Sequence, residues 1–149
     1  MTSLTKKIII GLAIAGVAGL LLIGIFVGAA ISGWRSAIRA GNEAATIQNL
    51  KTISAVEIQY YNTHHRTFGT FDQLVKEQIL TTKFAASSVI DGYILTLTVT
   101  PPSKNTASTY AVRADPQEDG MRHFYVDSTD DSIHVNRDKP AGPGDPPLD

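Results

Sequence analysis

Residues 8–31 read IIIGLAIAGVAGLLLIGIFVGAAI, twenty-four consecutive positions holding only aliphatic, glycine, alanine and phenylalanine side chains, with no charge and no proline. Such a run predicts a membrane-spanning helix: at about 1.5 Å per residue it extends roughly 36 Å, against a hydrocarbon core of about 30 Å. A secretory signal peptide has a shorter apolar core, about 7–15 residues, closed by a small-residue cut site. Here the cleavage-like Gly28-Ala29-Ala30 comes too late. A wholly buried core helix is the other alternative, and the rest of the chain is too short to wrap one on all sides.

Ahead of the run stands MTSLTKK, residues 1–7, a short basic stub; most of the chain follows it. Arg35 and Arg39 lie on the far side. Long domains, however, are translocated largely regardless of charge, whereas Lys6 and Lys7 on a short tail hold their side of the bilayer. The expected topology is single-pass, with residues 1–7 cytoplasmic, residues 8–31 in the membrane and the remainder extracytoplasmic. Trp34 would then sit at the outer headgroup level, where an amphipathic indole is favoured. Gly11, Ala15 and Gly19 recur at four-residue spacing, as do Gly24, Gly28 and Ser32. Small residues so spaced let two helix backbones approach closely in lipid. In a segment this rich in Gly and Ala the same spacing also arises by chance, so a plain small-residue anchor is the competing reading.

Over the whole chain of 149 residues the net charge is −1 and 18% of residues are charged. Nucleic-acid binding needs a concentrated basic face, so no nucleic-acid partner is expected. The longest basic cluster, His64-His65-Arg66, suits a solvated helix end, where cations face the negative pole of the dipole. Absence of cysteine excludes disulfides, thiolate metal sites and thiol-linked lipids. What remains beyond the anchor and tails is enough for one compact domain, residues 32–137.

Past the membrane run the pattern stays helical. Ile47, Leu50, Ile53, Ser54, Ile58, Tyr60 and Tyr61 share one broad face, and Gln48, Lys51, Thr52 and Gln59 share the other. A half-apolar helix of this kind packs on something. Glu57 falls inside the apolar sector, which requires a groove edge or a partner. One long helix is expected over residues 8–64. Thr70-Phe71-Asp72-Gln73 fits a capping box, predicting a short helix over 71–78. Residues 81–91 give mixed signals and read as a loop.

Asp91-Gly92 opens the clearest strand, YILTLTVT over 93–100, with Tyr93, Leu95, Leu97 and Val99 on one face and three threonines on the other. Shorter strands follow over 109–114, 122–127 and 132–136. Short connections between them imply an antiparallel meander. The fold class is therefore α+β, one long helix on a sheet of about four strands. Residues 138–149, with four prolines among the twelve, read as a disordered tail.

The order of a cytoplasmic stub, a membrane helix that continues as an amphipathic one, and a small antiparallel sheet resembles the type IV pilin and pseudopilin family. Arg39-Ala40-Gly41-Asn42-Glu43-Ala44-Ala45, then Leu50-Lys51-Thr52-Ile53 and Tyr60-Tyr61, look like the helix that family carries beyond its membrane segment. Asp91-Gly92-Tyr93, Ala114-Asp115-Pro116 and Arg122-His123-Phe124-Tyr125-Val126-Asp127 look like its sheet. The N-terminus departs from that pattern: Ile10 precedes Gly11 where the family has a glycine before its cut site, Ala15 replaces the glutamate, and Ser32 falls near the missing mid-helix proline. A cut chain carries an ammonium that a neighbouring glutamate can neutralise in lipid, so an uncut chain has no use for the glutamate. The departure implies an unprocessed N-terminus.

The resemblance implies a non-enzymatic structural or accessory component of a type IV pilus or a type II secretion-like apparatus. Its partners would be the membrane and other pilin-like or secretion-apparatus subunits, and Gly11, Ala15, Gly19, Gly24 and Gly28 would be the helix contact. The alternative is a membrane-tethered extracytoplasmic binding module that does not polymerise. No enzyme motif stands out among the histidines, serines and glycine stretches. His123 and His134 fall on adjacent predicted strands and are candidate metal ligands, with solvent-facing strand positions as the bland account. Asp127, Asp130 and Asp131 gather on one turn as candidate calcium ligands, as in some pseudopilins, without the glycine-bearing frame of an EF-hand. Acidic turns also arise for local hydrogen bonding alone. Calcium is thus the one cofactor with a candidate site.

Overall fold

The helical pattern expected from residue 8 onward is one element, α1 (Ser3–Thr63). The computed structural model describes the backbone of residues 3–148 and the side chains of residues 33–148. The expected membrane segment, residues 8–31 with its Gly and Ala notches, therefore lies outside the described side chains. Among the residues whose side chains are described, 33–148, no helix is long and apolar enough to cross a membrane. The chain divides into two compact units, Met1–Arg39 and Ala40–Asp149. In the first, Trp34 is 72% exposed and Ile38 is exposed as well.

In the second unit α1 is amphipathic in the way its sequence predicts. Leu50 and Ile53 are fully buried and Tyr60 nearly so, while Gln48, Lys51, Thr52 and Gln59 face solvent. Burying a Leu or Ile side chain contributes about 1.5–3 kcal/mol, so this stripe holds the helix to the sheet. Ile58 is an exception: expected inward, it is 45% exposed. The surface that the sheet covers is narrower than the apolar sector of the helix, and Ile58 falls beside it, on the rim of a groove with Tyr61 and Phe68. The helix ends on His65 and Arg66, both left-handed, with the Arg66 N–H returning to the Tyr61 carbonyl at 3.1 Å.

Two short helices follow, α2 (Phe71–Lys76) and α3 (Lys83–Ala86). The capping box at α2 forms as predicted, Thr70 and Gln73 each bonding the other's backbone N–H. The strands are β1 (Val89–Ile90), β2 (Tyr93–Thr100), β3 (Thr109–Pro116), β4 (His123–Asp127) and β5 (His134–Asn136). They pair in sequence order, every pair antiparallel. The meander is as expected, with one more strand. Asp91 and Gly92, both left-handed, form a two-residue hairpin turn that folds β1 back on β2, where the sequence suggested a loop. α3 likewise occupies part of that expected loop.

The inner face of the sheet carries Tyr93, Leu95, Tyr110, Val112, Ala114, Phe124 and Val126, all buried, and Thr96, Thr98 and Thr100 point outward. These inner residues and the buried stripe of α1 belong to one hydrophobic cluster.

The tail corrects its sequence reading. Instead of being disordered, residues 141–148 run along the free edge of β5. Val135 N–H donates to the Pro146 carbonyl at 3.0 Å, and Leu148 N–H donates to the Ile133 carbonyl at 2.6 Å. Asp145 accepts from Asn136 Nδ2 at 2.7 Å and from Gly142 N–H at 2.8 Å. Ala141 is buried and Leu148 packs against the core. Prolines suit this position because an edge segment needs few donors, and covering an edge removes a template for aggregation.

Candidate functional site

The turn after β4 concentrates the carboxylates, and the structure sends each to different partners. Asp127 accepts from the Thr129 N–H at 2.8 Å and from the Tyr125 hydroxyl at 2.8 Å. Partial burial pushes its carboxyl up, but the hydrogen bonds from Thr129 and Tyr125 outweigh that and hold it below the ordinary value. Asp130 accepts from the Ser132 N–H at 3.0 Å and lies 3.4 Å from His134 Nε2. Asp131, with a left-handed backbone, turns the other way and accepts from the Ser54 hydroxyl of α1 and from the Tyr110 hydroxyl at 3.4 Å. Burial pushes the Tyr110 phenol up to about 12, so it stays a donor at neutral pH. Asp131 thus ties the turn to α1. Among the described residues no group of three or more His, Asp or Glu side chains is arranged to hold a metal ion.

The strand register does not set the two candidate histidines directly opposite one another, and each has its own partner. His123 stands opposite Asn136, and His134 stands opposite Tyr125. His123 Nδ1 lies 2.6 Å from Asp115 Oδ1, and His134 Nδ1 lies 2.6 Å from the Asp145 carbonyl. The candidate helix contacts Gly11, Ala15, Gly19, Gly24 and Gly28 lie outside the described side chains. At the end of α1 the Thr63 hydroxyl is 2.9 Å from His64 Nδ1, and Glu77 is 3.8 Å from Nε2. That order of groups resembles a nucleophile, a base and an orienting acid. Thr63, however, donates to the Gln59 and Tyr60 carbonyls, and the His64 ring is stacked on Tyr60 at 3.7 Å, so these groups close the helix end.

Three further features take their partners from the fold. Glu43 on α1 receives Arg122 in a fork, with Nε and Nη2 each 2.8 Å from Oε2 and the Arg122 N–H 3.1 Å from Oε1. Glu57 has no exposed surface; its Oε2 accepts the Gly69 N–H at 2.9 Å, and its Oε1 has no hydrogen-bond partner. The signal for Glu57 was visible as a charge within an apolar sector, but its partner was not. The third is an open groove of about 470 Å³ whose lining includes Ile58, Tyr61, Phe68, Ser108, Ser128 and Thr129. Its walls are aromatic and hydroxylic, which suits a neutral polar ligand over a charged one.

No family model matches this chain, and neither curated proteins nor solved structures give a match. The class defined by the fold is an α+β domain in which one helix packs on a five-stranded antiparallel meander.

Proposed function

We propose that this chain is a non-enzymatic, single-pass membrane protein with an extracytoplasmic pilin-like domain, serving as a structural or accessory component of a type IV pilus or type II secretion-like apparatus. The observation that carries the reading is a helical spine, the 40–63 portion of α1, laid on an antiparallel meander and preceded in sequence by the uncharged apolar run of residues 8–31. A run of that length partitions into lipid. The wide exposed surface of Trp34 three residues later suits an interfacial aromatic. The groove beside Phe68 favours a second reading, a tethered binding module that does not polymerise.

The chain contains no cysteine, so one introduced at the exposed Thr98 is a unique reporter. In intact cells of the native host, Thr98→Cys in the full-length protein is expected to react with a membrane-impermeant maleimide, and the protein to stay in the membrane fraction after alkaline extraction. Labelling only after lysis, or release by the alkaline wash, overturns the topology. Recovery of pilin-like or secretion subunits with the membrane-extracted protein separates the first reading from the second.

A further inference from the structure

Glu57 is the one fully buried carboxylate among the described residues, and the fold does not use it as an ion pair. One oxygen accepts the Gly69 N–H; the other faces the interior without a partner. Gly69 sits in a tight seat: a methyl there would lie 3.0 Å from Leu74 Cδ2 and 3.1 Å from Tyr60 Cε1. The link from α1 to α2 is therefore held at one point by a glycine that a larger residue could replace only if Leu74 or Tyr60 shifted by a few tenths of an ångström, and by a carboxyl with no exposed surface. On either side of Gly69 are Phe68, which packs edge-on against Tyr110 at 4.8 Å and forms a groove wall, and Thr70, which caps α2.

We propose that Glu57 is a proton-operated latch on this link: neutral, it keeps Gly69 seated between Tyr60 and Leu74, and on ionising it draws water in and releases residues 67–70, loosening the Phe68 wall of the groove. An ionised carboxylate needs several donors, and the site supplies one N–H. The surrounding groups do not neutralise the charge. Tyr60 on the same helix and Tyr110 on β3 face it as phenols; beyond Tyr110 lies Asp131, and beyond Tyr60 lies Glu77, to which His64 is turned. Burial raises the Glu57 carboxyl from 4.5 to about 7, and the Gly69 N–H opposes that only in part. Because the folded value is raised, the latch is fully held below about 4.5 and is lost as pH rises through about 7.

The full-length chain has four glutamates, so carboxyl-labelled ¹³C-glutamate gives four resolvable signals in detergent micelles. The signal absent from Glu57→Gln is expected to titrate near pH 7. Across pH 5.5 to 8.5, amide protection factors at Phe68, Gly69 and Thr70 are expected to fall about tenfold or more in the wild type and to stay level in Glu57→Gln. If that variant does not fold, replacing Glu43, Glu77 and Glu118 in turn assigns the signal by elimination, and the wild-type measurements decide alone. A midpoint in the ordinary carboxylate range, ionisation with no loss of protection, or the same loss in Glu57→Gln overturns the proposal.

Discussion

At the scale of single residues, a few polar contacts join distant parts of the chain alongside the hydrophobic cluster. Glu43 and Arg122 are 79 positions apart and meet in a partly buried fork, with the Arg122 guanidinium also 5.4 Å from the Phe124 ring. Removing the carboxylate leaves the guanidinium and the Arg122 N–H without their acceptors, which is costlier than losing an ordinary surface pair. Glu43→Ala is expected to destabilise the protein by about 2–3 kcal/mol, and Glu43→Gln by less because its amide oxygen still accepts. Denaturant unfolding of both variants checks this, and equal small losses would demote the pair to surface decoration. Glu57 acts in the opposite sense on global stability. Its raised carboxyl binds its proton more tightly in the fold, so stability is expected to decline from about pH 4.5 to about pH 7, by up to about 3 kcal/mol. Thermal melts of wild type and Glu57→Gln at matched pH test the sign.

At the scale of elements, the two edges of the meander are closed differently. β1 covers the start of β2, and the proline-rich tail covers β5. Ending the chain after Asn136 is expected to lower the melting temperature, because Ala141 and Leu148 leave the core, and to promote self-association through the bared β5 edge. Sedimentation of the truncated protein checks the second effect; a monomer of undiminished stability would contradict it. The carboxylate turn makes a further prediction. Asp127, Asp130 and Asp131 already serve separate donors, so millimolar Ca²⁺ is expected to leave the melting temperature unchanged; a rise would mean that the turn reorganises around the ion.

What could be read in advance follows from how local each signal is. Alternation in YILTLTVT and the Thr70–Gln73 box are decided within a few residues, and both appear where expected. β1 is only two residues long and gives no period, although Asp91-Gly92 is the dipeptide that type I′ hairpins favour and pointed to it. The tail escaped because composition alone describes a chain without partners, and its partners are in β5. That His123 and His134 take different partners, as do the three carboxylates, depends on register and side-chain direction, which the residue types alone do not display.

At the scale of the whole molecule, the two roles proposed for the apolar run of residues 8–31, anchoring and partner contact, are separable by experiment. Anchoring depends on length and hydropathy, which replacing glycine by leucine preserves or increases. Helix pairing in lipid depends on close backbone approach, which leucine at a small-residue notch prevents, because dispersion contacts and not apolar burial drive association there. Gly24→Leu with Gly28→Leu is therefore expected to leave the protein in the membrane fraction with an unchanged melting transition of the domain. On the pilin-like proposal it is also expected to abolish recovery of membrane partners by affinity purification. The same exchange at Gly11 and Gly19 tests the other notch. If both double variants keep every partner, the run is an anchor alone, contact passes through the folded domain, and the tethered binding module becomes the better account. If either variant loses its partners while the domain stays folded, the small-residue face is an assembly surface, as a pilin-like role requires.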